Sequence, residues 1–339
     1  MSIDTKDADG MANEAVAKQS ILARRSRGVR LWQTGGPLVV TVLMLAVVII
    51  SNPQFLTGGG PSILALQATF ILLVALGQAC VLNVGSIDLS NAALAVLSAM
   101  VLAMTLGSLG PVALILSIAL ATLIGLANGL IVAYAQVPSF ALTLGTLGIL
   151  QAASLVISDA TTVYVKGGAD VLQPLFNTLM AGLPAAFWVA VILAVFMWFL
   201  TKFTRTGQAM TAVGINETGA MFSGIGNRGV KVVAFGISGF FSGVAGVMII
   251  AQGGAASSFG LGSDLLLPGL AAAIVGGTAI TGGATNPLLV IFGALTVALI
   301  PIASAVVGVP AEAQSLVYGV VIIVAAAITM QRDSDAAVK

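Results

Sequence analysis

From Leu31 to Ile87 the chain carries no charged residue, and after Asp88 it carries none again until Asp159. Runs this long and this apolar are read as membrane-spanning helices, each needing about 20 residues to cross the hydrocarbon core. In such a core every backbone polar group must be paired internally, which favours helix. Only 7% of the 339 residues are charged and 58% are hydrophobic, whereas a soluble domain carries about 25% charged residues. The expected fold class is all-α, a polytopic membrane protein embedded in a lipid bilayer.

The apolar runs divide into ten expected spans, near 33–51, 63–84, 91–107, 111–134, 139–157, 183–201, 231–252, 265–281, 286–308 and 314–330. Lys and Arg accumulate in cytoplasmic loops. The first 30 residues hold six of them, among them Arg24, Arg25, Arg27 and Arg30. Lys202, Arg205, Arg228 and Lys231 cluster in 202–231, Arg332 and Lys339 close the chain, and only Lys166 lies elsewhere. With ten spans, both tails and loop 202–231 fall in the cytoplasm, and 158–182 faces outward. Residues 1–30 read as a disordered cytoplasmic tail, 31–331 as the transmembrane domain and 332–339 as a second tail. A cleaved secretory signal would place its apolar core nearer the start, so the first span is expected to stay attached.

Composition also excludes chemistry. Without histidine, neither a His-based triad nor a His-ligated metal can be built. Cys80, the one cysteine, has no partner for an internal disulfide and reads as a buried thiol. A net charge of +1 gives no reason to expect a nucleic-acid partner. "GISG" (236–239) is similar to the serine motif of rhomboid proteases but lacks a base, and "GLGSD" (260–264) is one residue too long for an intramembrane aspartyl protease. No phosphate-cradling Gly-x4-Gly-Lys motif occurs. The chain is not expected to be an enzyme or to hold a cofactor.

Polar breaks stand in mirrored places. "NVGSIDLSNAALAV" (83–96) follows the second span and "GLGSDLLLPGLAAA" (260–273) follows the seventh, which runs the opposite way. Two pseudo-symmetric halves related by an inverted repeat would put a transport site at such discontinuities. Asn83, Ser86, Asp88, Ser90, Asn91 and Asp264 are therefore candidates for the substrate path. A second reading stands beside it: Asp88 or Ser90, and Asp264, cap the helices that follow. Gly236, Gly239, Gly243 and Gly246 fall on one face of the seventh span, and Gly125 and Gly129 on one face of the fourth, where a neighbouring backbone can approach closely. "GGTAITGG" (276–283) is too glycine-rich for a plain helix and reads as a turn or hinge.

One polar block, "TRTGQAMTAVGINETGAMFSGIGNRGVK" (204–231), interrupts the apolar sequence. Within it Glu217–Ser223 reads as a short helix with Asn216 as N-cap and Gly224 as stop. The segment "GINETGAMFSGI" (214–225) resembles the Gly-x-Asn-x-x-Ala-Ala-x-x-Ser-Gly-Ile coupling segment in permease subunits of bacterial ABC importers of the ribose, xylose and arabinose type. "VGSIDLS" (84–90), "ANGLIVAYAQVPSFALTLGTLGI" (127–149) and "AAAIVGGTAITGG" (271–283) resemble further blocks of that family, in the same order. The resemblance covers about residues 35–330. It implies a ten-span permease that pairs with a second copy of itself or a paralogue. ATPase subunits carrying ATP and Mg would sit beneath it, a periplasmic binding protein would deliver a monosaccharide or polyol, and the whole would lie in the bacterial inner membrane. Gly214, Asn216, Glu217, Ala220, Ser223 and Gly224 would then contact the ATPase. The chain departs from the family pattern at Ser86, at Asn91-Ala92, at Gly219 and at Ala284. Two alternatives remain at this stage: the same architecture carrying a nucleoside or branched-chain amino acid, and an ion-coupled secondary transporter.

Overall fold

The computed structural model describes residues 35–258, 263–308, 310 and 313–329. The two expected tails lie outside the described residues. Among the described residues, ten apolar helices lie along the ten expected stretches. Seven are long enough to cross a membrane: α3 (Gly60–Asn83), α4 (Asn91–Leu109), α5 (Val112–Tyr134), α6 (Ser139–Ile157), α8 (Ala185–Phe203), α11 (Asn227–Gly253) and α13 (Pro287–Val307). Three are shorter: α1 (Gly35–Ser51), α12 (Leu266–Val275) and α14 (Gln314–Thr329). α1 begins and α14 ends at a limit of the described residues. α12 is different, because its ends lie within them. Ten residues rise about 15 Å, half the hydrocarbon thickness, so the expected span 265–281 is a half-helix followed by a glycine loop.

α3 and α11 form the centre, with 83% of their apolar windows buried, against 17% for α6. Small residues allow that centre to close. Along α11, Gly236 meets Leu126, Gly239 meets Ala121 and Thr122, and Gly243 meets Ile118, all on α5. Gly246 instead fits against Ala95, Ser98 and Ala99 of α4. From the other side, Gly125 and Gly129 of α5 admit Phe235, Gly239 and Val232. A Cβ at most of these positions would overlap backbone, so the approach is set by the missing side chains. At the edge of the bundle, Thr41 of α1 bonds to Thr296 Oγ1 at 2.7 Å and to the Phe292 carbonyl at 2.9 Å, both on α13. Ile115, Ile149, Ile192 and Ile323 project from the outer faces, as lipid-facing positions would.

The segment 158–182 is folded. β1 (Val163–Tyr164) pairs antiparallel with β4 (Ala255–Ala256), just after α11. A short helix α7 (Pro174–Asn177) leads to the hairpin of β2 (Leu179–Met180) and β3 (Leu183–Pro184), turned by Ala181 and Gly182 with positive φ. The polar block holds two helices: α9 (Arg205–Ile215), capped where Thr204 Oγ1 accepts from Gly207 N–H, and α10 (Glu217–Phe222). The last short element, α2 (Gln54–Thr57), precedes α3.

Candidate functional site

Two helix ends, of α3 and α9, meet the glycine loop that follows α12. α3 stops because Gly85 takes φ +71°, with Gly85 N–H donating to Leu82 O and Ser86 N–H to Val81 O. That is the Schellman closure, which needs a left-handed residue and therefore favours glycine. α12 stops the same way at Gly277, φ +86°, with Gly277 N–H on Ile274 O and Thr278 N–H on Ala273 O. α10 stops the same way at Gly224, φ +81°. The loops after α3 and α12 then touch: Gly283 N–H donates to Asn83 O at 2.9 Å. Gly214, near the end of α9, lies against both Asn83 O and Gly283 N, so close that a Cβ there would overlap them. The polar segment thus rests by backbone contact on the end of α3 and on the glycine loop after α12.

Beyond Ser86 the chain runs alongside the start of α6. Ile87 N–H donates to Ser139 Oγ at 3.1 Å and Leu89 N–H to Thr143 Oγ1 at 3.0 Å. Asp88 is fully buried. Its Oδ1 accepts from Ser90 N–H (2.9 Å) and Ser90 Oγ (2.6 Å), and its Oδ2 accepts from Ser238 Oγ of α11 (2.7 Å). The network continues outward: Asn128 Nδ2 of α5 donates to Ser90 Oγ at 3.1 Å, and Thr146 Oγ1 of α6 to Asn128 Oδ1 at 2.9 Å. Asn91 Nδ2 donates to Gln78 Oε1, and Asn83 Nδ2 to Thr211 Oγ1 of α9.

Both sequence readings of 83–91 meet this geometry. Asp88 accepts from Ser90 N–H, ahead of α4, and the N-cap position is Ser90, without a side-chain cap bond. The residue at the start of α12 is Leu265, and Asp264 lies exposed in a short 3-10 turn, Ser263–Leu265. Asn83, Asp88, Ser90 and Asn91 are at most 1% exposed. Ser86 borders a cavity of about 720 Å³, walled also by Gly85, Gln136, Ser139, Glu217, Arg228 and Lys231. The structure brings five of the six candidate path residues into one segment and leaves Asp264 apart.

The coupling candidates divide by what they face. Asn216 Oδ1 accepts from Gly219 N–H, holding the start of α10. Glu217 pairs with Lys231 Nζ at 2.7 Å, fastening α10 to the start of α11. Ala220 is buried and Gly214 is turned toward the membrane breaks. The apolar side chains of this block that project outward are Ile215, Met221 and Phe222, the last 82% exposed. None of these three was singled out in the sequence, although a bulky apolar residue in a polar loop is a usable signal.

Residues 60–326 match the family described as branched-chain amino acid transport system / permease component. The D-allose transport system permease protein of Escherichia coli K12 is 32% identical over 302 residues, covering 88% of this chain and 91% of that protein. The ribose import permease protein of Haemophilus influenzae is 28% identical over 85% of this chain and 90% of its own length. The autoinducer 2 import system permease protein of E. coli is 29% identical over 84% of each.

Proposed function

The chain belongs to the family of branched-chain amino acid transport system permease components, and from that premise we propose that it is the membrane subunit of an ABC importer for a monosaccharide-type solute. Its relatives are named for D-allose, ribose and autoinducer 2 import, which favours a sugar-like cargo over the amino acids in the family description. The chain is a translocation component. ATP with Mg would be held by separate ATPase subunits, a periplasmic binding protein would deliver the solute, and a second permease, identical or paralogous, would complete the pore in the inner membrane. The Lys and Arg distribution supports placing both tails and α9–α10 on the cytoplasmic side.

One observation carries the mechanism: α9 rests on the end of α3 and on the loop after α12 through Gly214, Asn83 and Gly283. An ATPase that displaces α9–α10 would therefore move both breaks together. Phe222, Met221 and Ile215 are the side chains available to seat in the ATPase, while Asn216 and Glu217 keep α10 in shape. Ser86 borders the cavity on the α10 side and is assigned to the inner end of the path. The other buried polar groups of 83–91 hold the break in form.

Reconstitution with an ATPase subunit and a periplasmic binding protein of this importer family tests this reading. D-allose or D-ribose should accumulate in proteoliposomes only with ATP and loaded binding protein. Accumulation driven by an ion gradient without the ATPase would establish a secondary transporter instead.

A further inference from the structure

α6 carries four buried or half-buried hydroxyls on its inner side beyond Ser139, and three of them reach a carbonyl of the preceding turn: Thr143 to Ser139 O, Thr146 to Leu142 O and Ser158 to Leu155 O. Ser154 does not. Its Oγ is 1% exposed as a residue and has no hydrogen-bond partner. It borders a cavity of about 60 Å³ together with Gln151 and Leu147 of α6, Ala92, Ala93 and Val96 of α4, and Ser258 and Leu266 from the break before α12. Ser258 Oγ is likewise buried without a partner. Two orphaned hydroxyls and a carboxamide thus share one space, contributed by both halves of the chain.

A buried hydroxyl left unpaired is destabilising, and polar groups so placed are paired with water or ligand in most structures. The space suits a small cluster of waters and is too small for a whole sugar ring. It does suit a hydroxymethyl group or one hydroxylated edge. No charged residue lines it, so a zwitterionic amino acid would bring unmatched charge into an enclosed site, which is costly. Position supports a place on the path. Along α6, Ser139 and Phe140 border the large cavity, Thr146 ends the Asp88 network, and Ser154 lies about 12 Å further on at 1.5 Å per residue. On the outer side, β4, two residues before Ser258, is tied to β1.

We propose that Gln151, Ser154 and Ser258 form a hydroxyl-recognising subsite for one end of a neutral polyol in transit, on the outer side of the Asp88 network. This rests on the importer reading above.

The test uses the reconstituted complex with D-allose and D-ribose in parallel. Ser154→Ala and Ser258→Ala each remove one neutral hydrogen bond and should slow saturated uptake by roughly two- to tenfold, and Ser154→Val, which also fills the space, should slow it more. ATP hydrolysis stimulated by loaded binding protein should persist in all three, so that less sugar enters per ATP. Ser242→Ala, at a buried and equally unpartnered hydroxyl of α11 outside this lining, should leave uptake unchanged. In a Cys80→Ala background, Ser154→Cys should react with a membrane-permeant maleimide more slowly during sugar turnover than with unloaded binding protein. Unchanged uptake in both alanine variants, with no protection of the introduced thiol, would mean that the cavity holds ordered water only and would overturn the subsite. Absence of ATP-driven uptake in the unaltered complex would overturn the importer reading itself, and the subsite with it.

Discussion

Replacing Gly214 by alanine should separate ATP hydrolysis from transport. The added Cβ would overlap Asn83 O and Gly283 N and stand 3.0 Å from Asn83 C. All of these are backbone atoms, so no rotamer change relieves the clash. Overpacking costs about 1–3 kcal/mol, and weakening the 2.9 Å bond from Gly283 to Asn83 adds about 0.5–1.5 kcal/mol. Alanine returns at most about 1 kcal/mol through its better helix propensity. The net loss, about 0.5–3.5 kcal/mol with the full propensity gain returned, leaves a folded protein in which α9 no longer seats on both breaks. Side-by-side measurement of uptake and ATP hydrolysis in proteoliposomes should show uptake falling at least tenfold, with hydrolysis reduced far less. Gly219→Ala is the internal control. There a Cβ meets only the Asn216 side chain, at 3.2–3.6 Å. The helix-propensity gain of up to about 1 kcal/mol is offset by crowding of the Asn216 cap, and transport should stay near wild type. Equal, wild-type transport in both variants would refute the claim that the Gly214 contact transmits motion.

Phe222→Asp should abolish co-purification of the ATPase while the permease still inserts, because Phe222 is 82% exposed and contributes little to its own fold. Ser238→Ala removes a charge-assisted bond to Asp88, and detergent-solubilised protein should lose about 1.5–3 kcal/mol of stability, read as an earlier thermal transition by tryptophan fluorescence. In a Cys80→Ala background, Lys166→Cys should react from outside with an impermeant thiol reagent and Glu217→Cys should not; the reverse pattern would invert the orientation.

Local signals in the sequence were readable where one stretch of chain decides the outcome. Asn216 and Gly224 mark the ends of α10 because a cap and a left-handed stop are local devices. The ten apolar stretches were readable for the same reason. α9 escaped notice: its capping residue is Thr204, and it carries Gly207 and Gly214 within eleven residues, glycine being a poor helix former. The half-length of α12 follows from Gly276 and Gly277, whose meaning depends on Val290 and Ala272 packing against Gly276. Least legible was the junction of residues 83, 214 and 283. It is made of carbonyls and amides, which every residue possesses, so only the glycines record it.

Asp88 shows why a polar residue in an apolar run admits two sequence readings. A carboxylate there is expensive unless every lone pair finds a donor. Capping would supply donors from the following helix, and a substrate path would supply them from solute and water. The fold uses a third source. Ser90 and Ser238 donate directly, and Asn128 and Thr146 extend the chain of bonds to α5 and α6. The acid therefore ties the break to α11 directly and to α5 and α6 through Ser90. Buried networks rigidify where they are satisfied, as the Asp88 carboxylate is, whereas Asn83 Oδ1 and Asn91 Oδ1 beside it have no partner. A rigid break is what the proposed mechanism needs, since motion delivered at Asn83 and Gly283 reaches the solute only if the segment between Ser86 and Asn91 moves as one piece.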